Sequence, residues 1–332
     1  MGICISRRAR TTRHNLLKMP RVETHWGEPT GTRPLVRVKD LAWLVYLYPA
    51  RWLTNRLPIG AAYALWDALA WLGAASLCGP RRKLLARLQL AFPSPADRPL
   101  KERIAADFFR NAIVRFGDDL LLLRLAREGR LKEVDLIHLE RLTAAIAKGK
   151  GAMLVSGHFM ASRVAKQYLA AAGYPSASVR DPAQHLLTGR LGERILQRRY
   201  NEFLSEIIGS EIWVGDPDCS LKIMARLRSG GLINIHFDAA FSREVLRREF
   251  LGVTYPFGTG GFHLAWFVGA PLVPLKCLGS SRALRIEFGE PIYPESWPDR
   301  HAFAAAALDR VAQIIEQQIR AAPAEWDRWI HW

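Results

Sequence analysis

From Gly149 onward, short apolar runs alternate with longer amphipathic stretches, and this alternation most limits what the chain can fold into. Runs at residues 152–156, 176–179, 211–214, 232–237, 271–276 and 283–288 have the length and β-branched content of strands. Between and after them, 160–172, 182–208, 219–228, 261–268 and 301–320 carry helical periodicity. Strands separated by helices predict an α/β domain with a mostly parallel central sheet flanked by helices. A chain of 332 residues is long enough to close a full core around such a sheet.

In open parallel sheets, chemistry gathers beyond the carboxyl ends of the strands. Two polar residues are expected there. His158 follows A-M-L-V-S-G, and Asp238 follows L-I-N-I-H-F. Gly157 leaves the backbone free to turn tightly and lets a substrate come close. A lone loop histidine is more often structural than catalytic, but a strand-end position beside glycine makes His158 the leading candidate for chemistry.

The N-terminal part differs in texture. Residues 1–34 predict a basic arm, with Arg7, Arg8, Arg10, Arg13, Lys18 and Arg21 and no acid before Glu23. Two apolar runs follow at 41–50 and 59–79, the second interrupted by Asp67 and followed by Arg81, Arg82 and Lys83. About 20 apolar residues span a bilayer, so Pro49, Pro58 and Asp67 favour interfacial or half-inserted helices over a clean span. We therefore expect a membrane-associated helical segment over 35–99 and the α/β domain over 100–332. That domain opens with a helix at 100–127, where Ile104, Phe108, Ala112, Phe116 and Leu120 repeat every four residues.

Charge narrows the partners. Lys and Arg number 47 against 31 Asp and Glu, a net charge of +16, which calls for an anionic partner. With 49% hydrophobic residues and eleven tryptophans, membrane lipid fits that role better than nucleic acid, for which no motif is present. The four cysteines are far apart and form no C-x-x-C pair, so neither a zinc site nor a disulfide framework is expected.

Several phrases together resemble one family. S-G-H-F at 156–159 is similar to the H-x-x-x-x-D/E signature of the lysophospholipid acyltransferase superfamily. Four further segments resemble blocks of its bacterial lipid A biosynthesis branch, the lauroyl and myristoyl transferases. They are R-R-K-L-L-A-R-L-Q-L-A-F-P at 81–93, M-A-R-L-R-S-G-G at 224–231 leading to Asp238, the stretch 250–274 ending in G-A-P-L-V-P, and the closing P-A-E-W at 323–326. Their order and spacing over residues 70–330 carry the resemblance.

The resemblance implies an acyltransferase at the cytoplasmic face of a bacterial inner membrane. It would move a fatty acyl chain from an acyl thioester, on acyl carrier protein or coenzyme A, to a hydroxyl or amine of a glycolipid or other lipid. His158 would be the general base, and no metal or cofactor is implied. Arg180, Arg190, Arg194, Arg198 and Arg199 are candidates to hold acceptor phosphates or an acidic carrier.

One position departs from the pattern. Where the signature ends in a carboxylate, this chain has Arg163. A cation there would lower the proton affinity of the imidazole instead of supporting its charged form. Three readings stay open: a displaced acid, with Asp238 or Asp181 as candidates; an unaided His158; or a lipid-binding relative without turnover. Arg163 itself is also a candidate for an anionic substrate group.

Overall fold

The computed structural model describes residues 34–76, 78–132, 134–180, 189–239, 242 and 244–330. Nine strands are defined among them: β1 (Asp135–Ile137), β2 (Ala152–Ser156), β3 (Ser176–Arg180), β4 (Glu211–Trp213), β5 (Leu232–His236), β6 (Val245–Phe250), β7 (Val253–Gly258), β8 (Leu272–Ser280) and β9 (Ala283–Phe288). Seven form one sheet in the order β1-β9-β8-β2-β5-β3-β4. Every pairing in it is parallel except β8 with β9, which form an antiparallel hairpin. Strands β6 and β7 make a separate antiparallel ribbon.

The central strand shows why these residues make a sheet. All five residues of β2 are buried, as a strand covered on both faces must be. Its side chains alternate between two cores. Met153 and Val155 join one with Ile233, Phe262, Phe303 and Ile315, while Ala152 and Leu154 join the other with Leu121, Val164, Leu169 and Phe203. Helices therefore cover both faces. Cys219–Arg228, Gly260–Val268 and Arg300–Ala321 lie on the first side, and Ser162–Ala171 and Arg190–Ile208 on the second. The helix Arg98–Arg127 supplies residues to both cores: Ile104 and Phe108 to one, Leu120 and Leu121 to the other.

The N-terminal helices pack into the same body. Tyr46, Leu47, Ala62 and Trp66 belong to the second core. Pro49 does not break the chain as its sequence position suggests. It sits in a π-helical turn, Tyr46–Ala50, that continues from the helix Val38–Val45 into Arg51–Arg56, because the wider turn accommodates the missing amide. The break comes at Pro58, before the helix Ile59–Ser76. Asp67 interrupts the apolar run with its charge paired, since both its oxygens face Arg282, at 2.8 and 2.5 Å. Among the described residues, no single helix is long and apolar enough to cross a membrane. Only Ile59–Ala74 and Gly79–Ala91 together pass that test, and they are bent by 81°. The outer surface of this region is nonetheless apolar, with Val38, Leu41, Trp52, Trp71 and Leu72 all more than half exposed.

The register of β2 with β5 places the site. Ser156 pairs with His236, so the residues two positions further on, His158 and Asp238, leave the sheet at the same level on adjacent strands.

Candidate active site

His158 and Asp238 meet directly. The imidazole Nδ1 lies 2.5 Å from Asp238 Oδ1, and the His158 backbone N–H donates to Asp238 Oδ2 at 2.9 Å. Asp238 Oδ2 also accepts the indole N–H of Trp326 at 2.8 Å. The carboxylate is 1% exposed. Burial alone would push its proton affinity up, but the His158 charge and hydrogen bond, with Arg328 beyond, hold it below the usual carboxylate range. An ionised carboxylate only accepts, so Nδ1 must carry the imidazole proton. The lone pair then sits on Nε2, and the His158 side chain remains 22% exposed. Such a pair can take a proton from an incoming hydroxyl and stabilise the imidazolium that results.

A second histidine packs against the first. The His236 ring stacks on His158 with centroids 4.2 Å apart. Its Nδ1 donates to the Gly157 carbonyl at 3.2 Å and lies 3.1 Å from Ser156 Oγ. Burial, and then the neighbouring His158 charge, lower its pKa to about 3, so this ring stays neutral. His236 and Asp238 alternate along one strand direction, which is the signal that could have placed both at the site.

The loop carrying His158 is tied to the C-terminal segment. Met160 N–H donates to the Glu325 carbonyl at 2.9 Å, Asp327 N–H donates to the His158 carbonyl at 2.8 Å, and Phe159 bridges Trp326. Gly157 is needed on packing grounds, because a Cβ there would fall 2.9 Å from the Phe159 ring and 3.0 Å from Ile315.

Arg163 stands beneath this loop, paired with the buried Asp119 at 2.8 Å. Burial would lower its proton affinity, but Asp119, Tyr200, Asp327 and Tyr46 together outweigh that effect and keep it cationic. Arg115 pairs in turn with Asp327, whose carboxyl is held low against burial by Arg115, Arg163 and His158. Arg163 thus neutralises acids of the scaffold.

Three of the other basic candidates have acidic partners of their own. Arg180 pairs with Glu211 and stacks over Trp213. Arg198 and Arg199 both engage Glu202, at 2.9 and 3.1 Å, on the exposed face of Arg190–Ile208. Asp181, the other candidate acid, lies outside the described residues.

Glu244, His263 and His301 bring ligand-type atoms within 4.8 Å of one another. The Arg300 Nε donates to His301 Nε2 at 3.1 Å, which puts a fixed positive charge beside this group.

Comparison with known proteins identifies a family. No curated protein matches the chain. Among solved structures, the 1-acyl-sn-glycerophosphate (LPA) acyltransferase PlsC from Thermotoga maritima is similar at 11% identity and a TM-score of 0.37, over 75% of this chain and 99% of that one. The model of the bacterial lipid A biosynthesis acyltransferases matches residues 33–332, nearly the whole chain. This protein belongs to the bacterial lipid A biosynthesis acyltransferase family.

Proposed function

We propose that the protein moves a fatty acyl chain from an acyl thioester, on acyl carrier protein or coenzyme A, to a hydroxyl or amine of a glycolipid or other lipid acceptor. The observation that carries this reading is the 2.5 Å contact between His158 Nδ1 and the sealed carboxylate of Asp238. It supplies the acid that Arg163 does not. His158 Nε2 takes the acceptor proton as the acceptor oxygen attacks the thioester carbonyl. Asp238 stabilises the imidazolium, which returns the proton to the departing thiolate as the tetrahedral intermediate collapses.

The reading extends to location and partners. A net charge of +16 and the exposed Trp52, Trp71 and Leu41 suit an anionic membrane surface, which we place at the cytoplasmic face of a bacterial inner membrane. Arg198 and Arg199, exposed on one helix, are the side chains we assign to acceptor phosphates or an acidic carrier.

The test is consumption of an acyl thioester by the purified protein with lipid acceptors, compared with His158→Ala. The variant should fold and lose about 10²-fold or more of the transfer rate. A rate within threefold of the parent, or no thioester consumed with any acceptor, would overturn the assignment and leave a lipid-binding relative without turnover.

A further inference from the structure

Trp326 lies 88 residues from Asp238 in sequence and yet donates its indole N–H to the carboxylate oxygen that His158 does not use through its ring. The two carboxylate oxygens have separate duties. Oδ2 accepts two N–H groups, from the His158 backbone at 2.9 Å and from Trp326 at 2.8 Å, while Oδ1 faces the imidazole. Two donors on one oxygen fix the rotation of the carboxylate and draw charge toward that oxygen. Trp326 is itself immobilised. Its side chain is fully buried, with the Trp329 ring edge-on at 4.9 Å and Phe250 at 6.0 Å. Its backbone lies in the segment bonded on either side to the His158 loop, through Glu325 and Asp327.

We infer that Trp326 is a positioning residue for the His158–Asp238 pair, setting both the orientation of the carboxylate and the proton affinity of the imidazole. This rests on the acyl-transfer reading for its kinetic consequence but not for its effect on His158. With the indole bond present, the Asp238 charge is shared and its pull on the imidazolium is moderated. Without it, charge concentrates on the oxygen facing His158, and the imidazole holds its proton to higher pH.

The experiment uses the full chain in detergent with two replacements of Trp326. Trp326→Phe removes the N–H, and substitution by benzothienylalanine removes it while keeping the bicyclic shape, so folding is secured by at least one of them. His158 protonation is followed by the pH dependence of its modification by diethyl pyrocarbonate, read by mass spectrometry, and acyl transfer is measured across the same pH range. Both variants should raise the His158 midpoint by about half to one pH unit, a part of what one hydrogen bond to a charged group contributes, since the bond acts on His158 only through Asp238. The plateau of kcat should fall by about tenfold while KM stays constant, because Trp326 is fully buried behind the pair. A midpoint unmoved in a folded variant, with or without a loss of rate, would overturn the inference and reduce Trp326 to a core residue. If the parent consumes no thioester while the midpoint still moves, the acyl-transfer reading fails and this one stands.

Discussion

Arg163 Nη1 lies 2.8 Å from Asp119 Oδ2, and Asp119 is 1% exposed. The residue at the acid position of the H-x-x-x-x-D/E pattern is therefore committed to the scaffold beneath His158, where it also offsets Asp327. The carboxylate that meets the His158 ring is Asp238, two residues beyond the neighbouring strand.

Arg163→Glu consequently should not improve catalysis. It sets a second carboxylate against Asp119 and strands a buried charge, a defect that costs about 3 kcal/mol or more. A clear fall in Tm with no gain in thioester consumption is expected. Unchanged Tm together with higher activity would mean that the pairing with Asp119 is dispensable and that position 163 governs the base.

Asp118 gives a pH signature to stability. Burial raises its pKa to about 7, against the opposing effect of its hydrogen bond from Ser281. In the unfolded chain it titrates near 3.8, so the folded state holds the proton more tightly between about pH 4 and pH 7. Its contribution to stability is full below pH 4, falls as pH rises through that window and is level above 7. The stability of Asp118→Asn relative to the parent should thus grow from pH 4 to pH 7 and then flatten, measured by thermal unfolding at each pH. A flat difference across the window would contradict it.

The exposed aromatic surface predicts membrane binding without a span. Truncation before residue 79 is a poor probe, because it removes buried Ala62 and Trp66 from the core. Trp66 packs so closely on Arg98–Arg127 that a Cβ on Gly117 would fall 2.4 Å from its ring. Trp52→Ser with Trp71→Ser leaves the core alone, and should cut cosedimentation with anionic vesicles by about tenfold. Undiminished binding would place the membrane contact elsewhere.

How far the sequence could lead is visible in single elements. Residues 152–156 and 219–228 are found where their patterns put them, because a strand buried on both faces and an amphipathic helix each leave a local periodic trace. The ribbon of β6 and β7 leaves no such trace, since V-L-R-R-E-F mixes charge with apolar residues on a half-exposed strand. Nor does β1, only three residues long and held by its pairing with β9. At the site, His158 and Asp238 were legible as strand-end residues. Their contact depends on the Ser156–His236 register, and the roles of His236 and Trp326 come from tertiary neighbours that no local pattern encodes.

The most direct test of the pair is Asp238→Asn, assayed for acyl transfer with the fold checked by circular dichroism. The amide oxygen would take the two N–H donors now on Oδ2, turning its NH₂ toward His158 Nδ1. That donor forces the imidazole proton onto Nε2, where the base must act. We predict a folded protein whose kcat falls by about 10⁴-fold, the effect of a wrong tautomer. A folded Asp238→Asn protein within threefold of the parent rate would contradict the account, showing that His158 draws no catalytic support from Asp238.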